Sequence, residues 1–202
     1  NQKRYDFILK SLKDKNKISV IFLANHISQW KYQSLFEIFN SKDKYHTNVI
    51  FIPDENYSSN YHNEYLINKN EFKKKNINLI SSYDDSAKSW KNLNYLFKPD
   101  FVFYSRTLLK SNYRYSIYDF TNSLNCYAPY SLFIDKNDKL QCGTIFHKLL
   151  WKQFLPFNKN MKIAKNSYDA KNVLITDYIG CDFFKIKCRS NTTWKNKSHK
   201  NA

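Results

Sequence analysis

The chain has 202 residues, 42% of them hydrophobic and 18% aromatic, which suits one domain with a substantial core and argues against disorder over most of its length. Its 33 Lys and Arg against 17 Asp and Glu give a formal net charge of +16, which favours anionic partners, although heavy use of Lys, Asn, Ile, Tyr and Phe is also what an AT-rich genome produces. With only Gly143 and Gly180, neither a GxGxxG dinucleotide loop nor a Walker A loop can be written, so the sequence offers no cofactor motif.

In chain order, residues 1–17 set Tyr5, Ile8, Leu9 and Leu12 at helical spacing among Lys and Arg, which predicts an amphipathic lead-in helix. The run ISVIFLA, Ile18 to Ala24, is continuously apolar and rich in β-branched residues, the pattern of a central strand covered on both faces. After the loop of Asn25, His26 and Ile27, the hydroxyl of Ser28 is placed to cap a helix carrying Trp30, Leu35, Phe36 and Phe39 on one side. A second strand follows at NVIFI, Asn48 to Ile52, stopped by Pro53. A polar helix over roughly residues 60–75 then ends in three lysines, where cations suit the helix dipole.

Ile77 to Ile80 supplies a third strand, and residues 86–97 offer Trp90, Leu93 and Phe97 as a helix face. Pro99 and Asp100 introduce a fourth strand, FVFY, at Phe101 to Tyr104. A fifth is predicted at Cys126 to Ala128, then a helix from Thr144 to Phe154, then a sixth strand at Asn172 to Thr176. This alternation predicts parallel βαβ units and an α/β, Rossmann-like, doubly wound parallel sheet over residues 18–184, with a basic tail or interdomain linker over residues 185–202.

Four cysteines without a CxxC pair read as reduced thiols of a cytoplasmic protein. No stretch approaches the roughly 20 apolar residues of a membrane-spanning helix, so any membrane contact is read as peripheral. Metal-ligand spacing, paired carboxylates and a GxSxG elbow are all missing, which removes the support for zinc, retaining-hydrolase and serine-triad chemistry.

Particular segments resemble the CDP-glycerol glycerophosphotransferase-like family, which includes teichoic acid and capsule polymerases. ISVIFLANHISQWKYQSLFEIF is similar to that family's opening strand, Ser-x-Trp turn and helix, and KPDFVFY to the Lys-Pro-Asp approach to a strand in GT-B N-terminal domains. CYAPYS resembles the Tyr-x-Pro-Tyr-Gly turn with Ser131 in place of Gly, and FHKLLWKQF also fits in order and spacing. VLITDYIGCD follows the Thr-Gly-Tyr-Pro-Gly form with Asp177 and Ile179 replacing Gly and Pro. The resemblance spans roughly residues 18–183. It implies the N-terminal, acceptor-side half of a GT-B transferase in bacterial surface-polymer synthesis, with a polyol-phosphate or sugar acceptor. It also implies a nucleotide-activated donor such as CDP-glycerol on a C-terminal domain outside these residues, so that this chain alone is inactive.

In such a sheet ligands bind beyond the carboxyl ends of the strands, which directs attention to the loops there. His26 offers a general base for an acceptor hydroxyl, or is an ordinary loop histidine; an imidazole's usual pKa of about 6.5 suits either. Ser28, Trp30, Arg106, Tyr127 and Tyr130 are the candidate acceptor-binding residues. For Ser28 the plain alternative is a helix cap, for Trp30 and the tyrosines core packing, and for Arg106 a solvated surface charge. A guanidinium fork suits phosphate better than an ammonium does. His147 joins the candidates as a catalytic residue through the resemblance, against a structural role between apolar neighbours. Two other functions fit the charge: a nucleic-acid module with Lys interleaved among aromatics, which lacks a recognisable RNA- or DNA-binding signature, and an adaptor docking on an anionic membrane surface.

Overall fold

The computed structural model of the chain describes residues 2–52, 61–107, 115–132 and 138–182. Helix α1 (Gln2–Lys13) leads into strand β1 (Ile18–Ala24), a 3-10 turn (Ile27–Gln29), α2 (Gln33–Asn40) and β2 (Tyr45–Phe51). There follow α3 (Tyr61–Lys73), β3 (Leu79–Ser81), a two-stranded antiparallel ribbon (Tyr83–Asp84 with Ser89–Trp90), α4 (Leu93–Phe97) and β4 (Phe101–Tyr104). The last part holds β5 (Leu124–Tyr127), α5 (Asp138–Cys142), α6 (Ile145–Leu149), β6 (Lys152–Leu155), α7 (Asn158–Tyr168), β7 (Val173–Ile175) and a closing 3-10 turn (Ile179–Cys181).

All seven sheet strands are parallel, in the order β3-β2-β1-β4-β5-β6-β7. The chain winds outward from β1 through β2 to β3, then returns to the opposite side of β1 for β4. The fold is therefore Rossmann-like and doubly wound, with its topological switch between β1 and β4.

Alternation along β1 divides the core. Val20, Phe22 and Ala24 face α2 and α3 in one cluster with Phe36, Phe72 and Trp30. Ile21 and Leu23 face the other way, with Leu93 of α4 and Phe146 and Leu150 at α6. The first cluster is a web of rings: Phe22 stacks on Phe103 at 4.8 Å and meets Trp30 edge-on at 5.7 Å, and Trp30 meets Phe72 at 5.2 Å. Each such pair adds about 0.5–1.5 kcal/mol beyond the area it buries. A third, smaller cluster sets Tyr5, Ile8 and Leu12 of α1 against Leu124, the first residue of β5. There Asp100, almost fully buried, accepts from the Ser19 amide at 2.9 Å and pairs with Lys15 at 2.5 Å.

Several predicted boundaries shift. Ser28 does not cap a helix running through Trp30; its stretch is a 3-10 turn, and α2 begins only at Gln33. Trp90 is not on a helix but in the ribbon, edge-on to Tyr83 at 5.1 Å. The predicted helix Thr144 to Phe154 stops at Leu149, and its second half is strand β6, so the predicted sixth strand is the seventh. Pro53 and the predicted tail, residues 185–202, lie outside the described residues.

Candidate functional site

The site is assembled where the ladder ends. Beyond β1 the Ile52 amide donates to the Ala24 carbonyl at 2.8 Å, and the Asn25 side-chain amide donates to the Ile52 carbonyl at 3.3 Å. This ties the loop to the end of β2. The exposed His26 then adopts extended backbone, and its ring, not Ser28, supplies the cap: Nδ1 accepts from the Ser28 amide at 3.1 Å and lies 2.8 Å from the Ser28 hydroxyl. Asn68, buried on α3, holds the next residue by accepting from the Ile27 amide at 2.7 Å. Lys31 closes the loop, its ammonium donating to the Ser28 carbonyl at 2.9 Å.

This geometry constrains the chemistry of His26. A ring nitrogen that accepts from a peptide N–H carries no proton, so the neutral ring bears its hydrogen on Nε2. His26 thus presents a hydrogen-bond donor, and the nitrogen that a general base would use is already occupied by Ser28.

The ends of β4 and β5 are joined by Tyr32, a residue the sequence pattern did not single out. Its buried hydroxyl donates to the Tyr104 carbonyl at 2.6 Å and accepts from the Ala128 amide at 2.9 Å. One residue further, the Tyr130 amide donates to the Ser105 carbonyl at 3.2 Å, which sets the half-buried Arg106 and Tyr130 on adjoining loops. The Tyr178 hydroxyl, from the turn after β7, donates to the Tyr130 carbonyl at 2.6 Å. Gly180 makes room for it, since a Cβ there would lie 2.4 Å from the Tyr178 ring. In the same turn Asp177 takes φ of 62°, a left-handed conformation that glycine adopts freely and Asp tolerates better than most residues.

Of the residues singled out from sequence, His26, Ser28, Arg106 and Tyr130 therefore sit on loops at the carboxyl ends of β1, β4 and β5. The side chains of the other three are buried in the core instead. Tyr127 is 1% exposed and points into the core, edge-on to Phe146 at 5.8 Å and His147 at 5.1 Å; burial raises its hydroxyl pKa far beyond the usual tyrosine range. Trp30 is buried among Phe22, Tyr32, Phe36 and Phe72, where its ring has no face left for a sugar. His147 is completely buried, and burial, offset in part by the Gln141 backbone, lowers its pKa to about 3. It is neutral at working pH, and its Nδ1 accepts from the Thr144 amide at 3.2 Å at the start of α6. A proton shuttle in that position has no solvent to exchange with.

Among the described residues, the loops 25–31, 105–107 and 128–132 contain no Asp or Glu and hold His26, Lys31 and Arg106, while Asp177 lies in the turn after β7. Such a set favours anionic oxygens. Among the described residues no group of three or more His, Cys, Asp and Glu is arranged to hold a metal, and no helix is long and apolar enough to cross a membrane. No family model matches the chain, and neither a curated protein nor a solved structure matches it.

Proposed function

We propose that this chain is the acceptor-binding, N-terminal domain of a GT-B transferase of the CDP-glycerol glycerophosphotransferase-like kind. The observation that carries this reading is the switch point between β1 and β4, whose flanking loops carry His26, Lys31 and Arg106. A second feature supports the resemblance. Asp177 stands where the family pattern has glycine and keeps the left-handed backbone that glycine favours.

In the proposed reaction a hydroxyl of a polyol-phosphate acceptor attacks the donor's phosphorus. An O–P bond forms, the bond from that phosphorus to the nucleotide breaks, and the nucleoside monophosphate departs as the acceptor loses its proton. A sugar-nucleotide donor would be attacked at its anomeric carbon instead. The donor belongs to a second domain, and the loops described here hold the acceptor's phosphate: Arg106 by a two-pronged contact, His26 through Nε2–H, and Lys31 by charge.

The test is a titration of the isotope-labelled chain with glycerol 3-phosphate, followed through its amide resonances. Saturable shifts are expected at Ser28, Arg106 and Tyr130, with a dissociation constant of about 1 mM, equivalent to about 4 kcal/mol, as fits a half-site. Arg106→Ala should weaken that binding roughly tenfold, or about 1.4 kcal/mol. Absence of shifts at these loops, or tight salt-sensitive binding of a single-stranded oligonucleotide instead, overturns the reading.

A further inference from the structure

Helix α1 packs Tyr5, Ile8 and Leu12 against Leu124, and the Tyr5 hydroxyl donates to the Leu149 carbonyl, so one side of the helix is pinned to the domain. Phe7 stands on the other side and is 74% exposed. Lys3, Arg4 and Lys10, at i−4, i−3 and i+3, surround it within one helical turn, so the ring projects through a collar of cations. Tyr95 of α4 is exposed to the same degree. Among the described residues these two are the most exposed large hydrophobic side chains, and both line one groove, together with Arg4 and Lys98. The carboxylates on these elements are engaged. Asp6 accepts from the Gln2 side-chain amide at 2.8 Å, and Asp100, which also lines the groove, pairs with Lys15 at 2.5 Å.

We propose that this patch docks on an anionic lipid bilayer, with Phe7 and Tyr95 entering the headgroup layer and the exposed Lys3, Lys10 and Lys98 meeting lipid phosphates. Charge complementarity selects the partner. The two rings are bordered by cations whose neighbouring carboxylates are already paired or hydrogen-bonded, and an anionic leaflet attracts such a cluster. Arg4 adds to the same field, held in place as its guanidinium donates to the Tyr5 hydroxyl at 2.8 Å. The posture of the rings favours a bilayer over nucleic acid. A ring that serves as a stacking platform lies flat on the protein and offers one face to a base. Phe7 and Tyr95 stand clear of the surface, as a side chain must to enter a soft layer. Tyr95 also carries a polar end that can stay with the headgroups while its ring is sheltered.

The consequence is an orientation. The groove lies at the amino edge of the sheet, since its lining residues Lys15, Pro99 and Asn122 precede β1, β4 and β5. The loops of His26, Arg106 and Tyr130 lie at the carboxyl edge, one strand away, or about 23 Å for the seven residues of β1. A domain docked by this patch holds that edge away from the bilayer and open to water. This inference does not depend on the transferase reading.

The test is co-sedimentation of the whole chain with sucrose-loaded vesicles of phosphatidylcholine containing about 30% phosphatidylglycerol, against vesicles of phosphatidylcholine alone. Partition to the anionic vesicles is expected to be at least about tenfold the greater. Phe7→Ser with Tyr95→Ser should lower it about tenfold, and Lys3→Gln with Lys10→Gln about twentyfold. All four side chains are exposed, so both variants should keep the wild-type far-ultraviolet dichroism. Leu66→Ser with Ile67→Ser, exposed on α3, is the control and should partition like the wild type. No binding to anionic vesicles, equal binding to neutral ones, wild-type partition by either patch variant, or the same loss in the α3 control overturns the inference. A patch variant that keeps its vesicle binding but loses a single-stranded oligonucleotide complex or self-association assigns the surface to that partner, and overturns it as well.

Discussion

His26 and His147 perform the same local task in opposite surroundings. Each Nδ1 accepts a backbone amide at the start of a short helical segment, from Ser28 at 3.1 Å and from Thr144 at 3.2 Å. Each also lies 2.8 Å from the hydroxyl of that same residue. One ring is exposed at the carboxyl edge of β1 and the other is completely buried beneath Tyr127 and Phe146. The difference teaches that a hydrogen-bond motif does not by itself define a functional histidine. Exposure decides whether the second ring nitrogen meets a ligand or a wall of rings.

Three predictions sharpen that contrast. The largest effect is expected at the buried ring: His147→Ala should cost about 3 kcal/mol in urea unfolding, because it opens a cavity under Tyr127 and strips the Thr144 amide of its acceptor. His26→Ala, measured in the same way, should cost about 0.5 kcal/mol or less, since water replaces an exposed ring. Equal costs at the two positions would break the comparison.

The next effect is on acid stability. The folded state holds the His147 pKa near 3, below an unfolded value of about 6.5, so the unfolded chain takes up the proton first. Its contribution is intact above about pH 6.5 and drains away as pH falls toward 3, at up to about 1.4 kcal/mol per unit. Between about pH 7.5 and about pH 5 the wild-type chain should lose about 2 kcal/mol more stability than His147→Gln, which has no proton to gain. Parallel pH profiles would show that the ring reaches solvent. The smallest pair concerns the hydroxyls: Thr144→Ala should cost about 1 kcal/mol and Ser28→Ala no more than about 0.5 kcal/mol, read from thermal midpoints.

How far the sequence revealed this molecule depended on whether a segment's pattern had one interpretation. ISVIFLA and FVFY are unbroken apolar runs, and their strands begin and end where those runs do. Strand β6 was hidden because KQFL continues the apolar spacing of α6. Its Gln153 is fully buried, its amide donating to the Tyr168 hydroxyl, and that contact comes from α7, a helix the pattern did not mark. Trp90 fits a helix face by spacing, yet its partner Tyr83 lies across a ribbon. At the site, the edge was legible because parallel strands place their carboxyl ends together. The direction of each side chain was not: Tyr127 follows Cys126 on the opposite face of β5, and Tyr32 acts through carbonyl and amide groups far along the chain.

The Tyr32 hydroxyl also sets a condition on when the cleft comes into being during folding. Its bonds reach 72 residues ahead to Tyr104 and 96 residues ahead to Ala128, whereas β1 can pair with β2 through Ile18 and Tyr45 across a much shorter loop. Doubling a loop adds only about 0.6 kcal/mol to its closure, so the distance is cheap at equilibrium, but distant contacts form later on average than near ones. The β1 to β3 half therefore has a route to order before the Tyr32 junction closes. A nascent chain that has made only that half carries His26 on a finished strand with nothing opposite it. The edge that sets His26 and Lys31 beside Arg106 and Tyr130 exists only once both windings of the sheet have met.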